Sequence, residues 1–453
     1  MIRRVLVANR GEIAVRVIRG CRDLGMEAIV AHSDVDRDSL AVRQADRAVC
    51  IGAAPPRSSY LNMEVILAAA KAVRADAIHP GYGFLSENAA FAQACQKAGT
   101  VFIGPSAAAI ALMGNKLEAR RAAADAGVPV LPGSFALVQD PEQATAVARS
   151  IGFPVLLKAS AGGGGLGLRR VNDATEFSHA LAMSANEAQQ AFGDGALYIE
   201  KYIPNARHIE VQIVADHSGR LVELGERDCS IQRRYQKLIE ESPSPCVSPA
   251  LRDEMAAAAI RLVRRIGYTS AGTIEFLLDQ DTRRFYFIEM NTRLQVEHPV
   301  TEMVTGLDIV ALQLLIASGM PLPVAQEDVR FRGHAIEFRI NAEDPAADFQ
   351  PCAGRLAGLS LPLGPGVRVD THCYEGYTVP PFYDSLLAKI IVHGETRELA
   401  LARSRRALRE CTVAGVKTTL PLYRELLEDN AFLESRTNTQ WIAERLDSRA
   451  ETR

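Results

Sequence analysis

No two of the eight cysteines form a CxxC pair; they are scattered at positions 21, 50, 95, 229, 246, 352, 373 and 411. That spacing argues against a zinc site or a disulfide framework and fits reduced thiols in a cytoplasmic enzyme. An excess of charge of one sign is also lacking. Lys and Arg number 51 against 54 Asp and Glu, a net charge of −3. Such a balance argues against a general binder of nucleic acid or of membrane surfaces, so any attraction for anions must be local. No apolar run reaches bilayer length, since the most apolar long segment, Asp308–Pro321, is short and interrupted. The opening MIRRVLVANRGE has neither a long apolar stretch nor a cleavage site, unlike a signal peptide. Internal repeats, coiled-coil heptads and low-complexity segments are missing too.

What is present is an ordinary globular composition, 48% apolar and 23% charged over 453 residues, enough for roughly three domains and a core that needs no staples. The first part alternates strand and helix. Arg4–Ala8 reads as a strand and Asn9–Glu12 as a turn. Ile13, Ala14, Val17, Ile18, Cys21 and Leu24 then recur at helical spacing, and Gly25 ends the helix. Strands are expected at Glu27–His32, Ala75–His79 and Val101–Ile103, with a helix over Glu87–Ala98 capped by Ser86. This β-α-β order predicts a parallel, doubly wound sheet. The first turn has one glycine where a dinucleotide fingerprint needs three, which rules out NAD binding there.

A helix is expected over Leu112–Ala126, followed by the turn-rich VPVLPGS, read as a domain boundary. Pro154–Ala159 and Leu168–Val171 read as strands joined by the glycine loop Gly162–Gly167. Because that loop joins two strands, it is neither a Rossmann fingerprint nor a Walker A loop. A flexible glycine hairpin can fold over a triphosphate and offer bare backbone N–H groups; a plain surface turn is the competing reading. Further strands follow at Ala196–Tyr202, Ile209–Asp216 and Leu221–Glu226, then a helix over Asp253–Arg265. A helix around Asp308–Ser318 precedes Pro321 and Pro323, which mark the next boundary. The tail should hold strands at Gly333–Ile340 and Leu387–His393, with helices near Arg397–Glu410 and Leu420–Asp429.

The most informative stretch is Phe285–Thr301, FYFIEMNTRLQVEHPVT, with the run GTIEFLL before it. Folding about Thr282 makes a hairpin that sets Glu275 opposite Glu289. Glu289 and Asn291 are two apart and share a strand face. Two carboxylates and an amide around one point suit a hard cation such as Mg²⁺; a solvated strand end is the alternative. Lys158, on the strand before the glycine loop, and Lys116, near a helix start, are candidates to meet phosphate. Glu200–Ile203 ends a strand at Pro204 and can present backbone groups to a purine, although a simple edge strand fits equally well. The segment Glu226–Glu241 is dense in charge of both signs and reads either as a solvated face or as a site lining. Together these parts describe phosphoryl transfer, with the acceptor near Arg293 and Glu297. Arginine suits a planar oxyanion such as bicarbonate, and a glutamate nearby can take its proton.

At this point the chain resembles the biotin carboxylases, a family of ATP-grasp enzymes. The resemblance is carried nearly end to end by VANRGEIAVRVIR, HPGYGFLSEN, MGNK, KASAGGGG, ERDCSIQRR, GTIEFL, FIEMNTRLQVEHPVTE, FRINAED and GYTVPPFYDS. It implies an α/β fold, α+β overall, in three domains. A Rossmann-like pre-ATP-grasp domain would span 1–114, an ATP-grasp domain 115–330 with a mobile glycine-rich lid at about 131–203, and a mixed α/β C-terminal domain 331–446. The implied reaction phosphorylates bicarbonate with ATP to carboxyphosphate, which yields CO₂; the released phosphate helps deprotonate the biotin ureido nitrogen. Carboxybiotin, ADP and phosphate result.

On matching positions, the family implies ATP contacts from Lys116, Lys158, Gly164, Gly165, Glu200, Lys201, Ile203, His208, Gln232, Tyr235 and Leu277. Glu275, Glu289 and Asn291 would hold two Mg²⁺ or Mn²⁺ ions, the two glutamates thereby also touching ATP. Lys237, Arg293, Gln295 and Val296 would hold bicarbonate, and Glu297 would be its base. Arg339 would stabilise the biotin enolate, with Tyr82 near the ring. Two positions depart from the pattern: Leu166 stands where the lid commonly has a basic residue, and Tyr235 where a histidine is common. None of the nine methionines precedes a lysine, so the Met-Lys-Met turn of a biotin carrier is missing. The implied partners are therefore a separate biotin carboxyl carrier protein, a second copy in a homodimer and a carboxyltransferase subunit. Another ATP-grasp ligase or a catalytically silent scaffold are the competing readings. RLQVEHPVT and Arg339 speak against the first, and the retained Glu275, Glu289, Arg293, Glu297 and Arg339 against the second.

Overall fold

The computed structural model describes residues 2–138, 140–160 and 167–451. Five short strands open the chain: β1 Arg4–Val7, β2 Glu27–His32, β3 Arg47–Cys50, β4 Ala77–His79 and β5 Val101–Phe102. All pair in parallel, in the order β3-β2-β1-β4-β5. Val5, Leu6 and Val7 are wholly buried, as a parallel strand covered on both faces requires. The chain winds outward from β1 to β3, then returns to β4 on the other side. Loops therefore part between the carboxyl ends of β1 and β4, where open α/β sheets bind ligands. Asn9, just past β1, locks the two loops together by donating to the carbonyls of Pro80 and Tyr82, both at 2.7 Å. Gly81 has φ +64°, and a Cβ there would lie 2.8 Å from the Asn9 amide nitrogen, so only glycine fits.

Two helices differ from expectation here. The helix after β4 spans Ala89–Lys97, not Glu87–Ala98, and its cap is Asn88, which accepts from Phe91 N–H. Ser86 instead donates to the carbonyl of Gly83, which leaves Glu87 outside the helix. The single helix expected over Leu112–Ala126 is two, Ala107–Gly114 and Lys116–Asp125. Asn115 breaks them apart because its side chain caps the second, accepting from Leu117 and Glu118 N–H.

Strands β6 Val155–Ala159, β7 Leu168–Val171 and β8 Leu197–Lys201 form a small antiparallel sheet in the order β7-β6-β8. Helices Pro141–Ile151 and Ala174–Phe192 accompany it, and Val155, Leu157, Val171, Phe177 and Ile199 share a core of its own. Gly164, Gly165 and Leu166 lie outside the described residues.

The large sheet comprises β9 Ala206–Ala215, β10 Leu221–Arg233, β11 Gln236–Ser242, β12 Ser270–Asp279, β13 Phe285–Asn291, β14 His334–Asn341, β15 Val367–Thr371 and β16 Leu386–Gly394. It is antiparallel, in the order β13-β12-β9-β10-β11-β14-β16-β15. Pairing of β11 with β14 carries this sheet from the middle of the chain into its last third. Helix Pro249–Ile266 begins earlier than expected, at a Ser248 cap, and packs Met255, Ala259 and Leu262 with Ile274 and Phe276. The charged run Glu226–Glu241 is solvated only at its turn, where Arg234, Tyr235 and Gln236 are exposed; Glu226, Arg227, Asp228, Glu240 and Glu241 are buried within the sheet. Near the end, the helix expected over Leu420–Asp429 stops at Leu426, and a separate short helix, Asn430–Leu433, begins beyond it with Asp429 as its cap. Among the described residues no single helix is long and apolar enough to cross a membrane.

Candidate active site

The β12–β13 hairpin pairs Glu275 directly with Glu289. Asn291 Nδ2 donates to Glu275 Oε1 at 2.9 Å. Burial pushes the Glu289 carboxyl up, and the negative charge of Glu275 pushes it further. Glu275 goes the other way. Burial opposes its ionisation, but the ammonium of Lys237 and the imidazole of His208, 2.9 Å away, hold it well below the usual range. Two facing carboxylates and an amide form an all-oxygen donor set, and the cost of ionising both is what a hard divalent cation would remove. The residues present thus fit Mg²⁺ or Mn²⁺.

Next to this pair sits a dense knot of charge. Lys237 Nζ donates to Glu210 at 2.6 Å, Glu275 at 2.9 Å and Glu297 at 2.6 Å. An ammonium has three N–H groups, so its donors are saturated by three carboxylates. The other oxygen of Glu297 accepts from Arg339 Nη2 at 2.9 Å. Burial alone would raise the Glu297 carboxyl; Lys237, Arg339 and Arg227 outweigh it and hold the group well below its ordinary value. Arg339 is shared with Glu240, to which its Nε donates at 2.6 Å. Burial lifts Glu240 to about 7 despite that guanidinium. Arg293 donates to Glu87 at 2.8 Å and to the side-chain amide oxygen Oδ1 of Asn291 at 2.8 Å. Gln295 Nε2 donates to Glu275 at 2.7 Å.

The opposite wall is basic and aromatic. Lys158 Nζ donates to Glu200 at 2.9 Å and lies 5.4 Å from the centre of the Tyr198 ring. Arg120 also donates to Glu200. Lys116 sits at the first position of its helix, where backbone N–H groups favour anions. Burial and the charge of Lys158 lower its ammonium, and an anion entering between the two lysines would offset both effects. Lys201 differs from its neighbours, because its ammonium turns to the carbonyls of Gly152 and Phe153. Tyr235 occupies the two-residue β10–β11 turn with Arg234, both left-handed, at φ 66° and 47°.

These walls enclose one cavity of about 810 Å³. It is lined by Tyr82, Lys116, Lys158, Glu200, Lys201, Ile203, His208, Gln232, Tyr235, Lys237, Glu275, Leu277, Glu289, Asn291, Arg293, Gln295, Val296, Glu297 and Arg339. Every candidate that falls within the described residues therefore faces the same space. Gly164 and Gly165 fall outside them. Several residues that hold these in place were not singled out from the sequence. Glu210 takes Lys237, Glu240 takes Arg339, Glu87 takes Arg293, and Arg120 takes Glu200. Arg227 is wholly buried, and its five N–H groups reach Glu210, Gln212, Thr301, Thr273 and Gln295. Only Glu210 carried a local signal, two residues after His208 on one strand face.

Three family models match the chain in order: the biotin carboxylase N-terminal domain over residues 1–110, the carbamoyl-phosphate synthase L chain ATP-binding domain over 115–325, and the biotin carboxylase C-terminal domain over 337–444. Biotin carboxylase 1 of Bacillus subtilis is 50% identical over 442 residues, 98% of each chain. A pyruvate carboxylase subunit of Methanothermobacter thermautotrophicus is 49% identical over 444 residues, 98% of this chain and 90% of that one. Among solved structures, the Campylobacter jejuni biotin carboxylase complex with β,γ-ATP superposes with a TM-score of 0.95 at 46% identity, covering 98% of this chain and 99% of that one. The biotin carboxylase domain dimer of Hydrogenobacter thermophilus 2-oxoglutarate carboxylase, bound to MgADP, ADP and bicarbonate, gives a TM-score of 0.95 at 48% identity, with 98% of both chains covered. A cavity that sets an oxygen donor pair beside a lysine–glutamate–arginine knot, on this fold and at this identity, places the chain in the biotin carboxylase family.

Proposed function

We propose that this chain is the ATP- and bicarbonate-dependent enzyme that carboxylates biotin borne on a separate carrier protein, releasing ADP and phosphate. The observation that supports it most is Glu297, a carboxylate kept ionised between Lys237 and Arg339 and one strand end away from the Glu275–Glu289 pair. ATP lies with its phosphates toward Lys116 and Lys158, while Ile203 and Leu277 line the base end. Gly164 and Gly165, outside the described residues, are proposed as ATP contacts on the family resemblance alone. Glu275, Glu289 and Asn291 would hold the divalent cations, whose positive charge would offset that of the phosphates.

Bicarbonate sits against Arg293, Gln295, Val296 and Lys237. Its arrival draws Lys237 toward the new anion and away from Glu297. The carboxylate then returns toward its ordinary basicity and takes the bicarbonate proton. An oxygen of bicarbonate attacks the γ-phosphorus, the bond to ADP breaks, and carboxyphosphate forms. Its breakdown gives CO₂ and phosphate. That phosphate takes the ureido proton, and the nitrogen bonds to CO₂ while Arg339 faces the ureido oxygen beside Tyr82. Binding of biotin requires Arg339 to loosen from Glu297, and Glu240 keeps it seated meanwhile.

The three-part division at 114/115 and 330/331 is supported by the order and limits of the family matches. We assign the chain to the first half-reaction of an acetyl-CoA or related acyl-CoA carboxylase, in the cytoplasm, with a carboxyltransferase as a further partner and a homodimer as its assembly. The methanogen relative favours a second reading, the equivalent subunit of a pyruvate carboxylase. The purified chain should hydrolyse ATP only with bicarbonate and divalent metal, faster with free biotin. Hydrolysis that ignores bicarbonate, or that needs a different acceptor, refutes the proposal. Supplying carrier with carboxyltransferases for acetyl-CoA or for pyruvate separates the two readings.

A further inference from the structure

A buried cation lies behind the cavity and not in it. Lys389, in the middle of β16, has no exposed surface and does not line the cavity. Its Nζ donates to the carbonyl of Val296 at 2.8 Å and lies 3.0 Å from Glu12 Oε1. The same oxygen accepts the hydroxyl of Tyr82. Two distant stretches thus meet at one ammonium, the first turn of helix Gly11–Asp23 and the loop after β13, and the loop after β4 joins them through Glu12.

Ala388 and Ile390, one residue away on either side, point to the opposite face of the sheet, into the apolar core. On its own face burial opposes the charge of Lys389, and the buried carboxylates Glu12, Glu337 and Asp370 outweigh it. Lys389→Met keeps nearly the length of the side chain but leaves those carboxylates without the ammonium, so a loss of stability is expected beside any kinetic effect. What lysine adds is directed donors. Val296 immediately precedes Glu297, and the peptide unit between them is planar. Holding the Val296 carbonyl therefore fixes the orientation of the unit from which the Glu297 side chain springs. Through Glu12, the same ammonium also fixes the hydroxyl of Tyr82, a residue that lines the cavity.

We propose that Lys389 is a positioning residue: with Glu12 it holds the Val296–Glu297 peptide in register with Tyr82, so that the proton-accepting carboxylate and the tyrosine wall keep one geometry. This inference rests on the carboxylation reading above and adds a residue outside the cavity to it.

The test uses the full chain in the variants Lys389→Met, Tyr82→Phe and their combination, with kcat and KM for bicarbonate in biotin-stimulated ATP hydrolysis, ADP affinity and thermal unfolding measured on each. Losing one charge-assisted hydrogen bond at the carbonyl should lower kcat/KM for bicarbonate about tenfold. ADP affinity should stay within about twofold of wild type, because no nucleotide contact changes. The double variant should lose less than the product of the single losses, since both variants break one network. Unchanged bicarbonate kinetics in folded Lys389→Met, or losses that simply multiply, overturn the inference. If Lys389→Met does not fold, Glu12→Gln keeps the shape and removes the charge. It must then show the same bicarbonate-selective loss and the same coupling to Tyr82→Phe, and failure of either overturns the inference. A wild-type chain without bicarbonate-dependent hydrolysis removes the carboxylation reading itself, whereas an active wild type with insensitive variants removes only the role of Lys389.

Discussion

Replacing Glu297 by glutamine keeps the volume of the side chain and removes its charge and basicity. In the wild type both carboxylate oxygens are engaged, one by Lys237 at 2.6 Å and the other by Arg339 at 2.9 Å. Glutamine offers one acceptor and one NH₂ group. If its carbonyl turns to Lys237, its NH₂ confronts Arg339, and the reverse orientation confronts Lys237. One charged donor therefore loses its acceptor, a loss of about 1.5–3 kcal/mol in a buried setting. The loss stops there, because Lys237 keeps Glu210 and Glu275 and Arg339 keeps Glu240. Unfolding should accordingly shift modestly, while bicarbonate-dependent turnover should fall by about 10²–10⁴, the range for removing a general base. ADP affinity should hold within about twofold, since Lys116, Lys158 and Glu200 make no contact with the site of change. The assays are stopped-time ADP release with saturating biotin, calorimetric ADP titration and thermal unfolding of the same preparation. Turnover within about threefold of wild type would refute Glu297 as the proton acceptor. Loss of nucleotide affinity alone would place it on the wrong side of the cavity.

Glu289→Gln removes one of the paired carboxylates and should raise the Mg²⁺ concentration for half-activation about tenfold or more, as expected for one lost charge close to a divalent ion; a KM for bicarbonate near that of wild type should accompany it, and an unchanged Mg²⁺ requirement would count against the ligand set. Glu241 sits between His334 and Arg397, and although burial opposes its ionisation, they lower it from 4.5 to about 2. A depressed carboxyl contributes stability that is complete above about pH 4.5 and fades as pH falls toward 2, so this bracket contributes roughly 3 kcal/mol at pH 7. Urea unfolding of Glu241→Gln should show a gap of that order at pH 7 that narrows below pH 4.5; a gap independent of pH contradicts the linkage. Tyr235→His suits a left-handed turn position and should change the KM for ATP while leaving that for bicarbonate alone, and Leu166→Arg should act likewise. No change in either variant removes both positions from nucleotide binding.

Much of the site was legible because its signals are local. The β12–β13 hairpin needed only a short turn and period-two spacing to suggest Glu275 against Glu289, and that pair forms, but through a β-bulge: Phe276, Leu277 and Leu278 pair with Phe287, Tyr286 and Phe285, one residue out of step with Glu275 and Glu289. The parallel order of the first strands followed from alternating strand and helix patterns. Helix starts were less legible. Ser86 and Asn88 both have capping chemistry, and the choice fell to Asn88 while Glu87 meets Arg293 from a distant stretch. The break at Asn115 came from a cap inside what reads as one periodic segment.

The charged run Glu226–Glu241 shows the limit most clearly. Charge in a sequence signals exposure unless partners neutralise it, and these partners come from elsewhere in the chain. Arg227 finds Thr301 and Gln295, Lys237 finds Glu275 and Glu297, and Glu240 finds Arg339. The sequence by itself determined which residues carry the chemistry, the strands that bear them and the family pattern they form, because each of those rests on spacing along the chain. Tertiary structure alone decided who holds whom. Glu210, Glu87, Arg120, Arg227 and Lys389 gain their roles from contacts across different strands, loops and helices, between residues too far apart in the chain for spacing to encode.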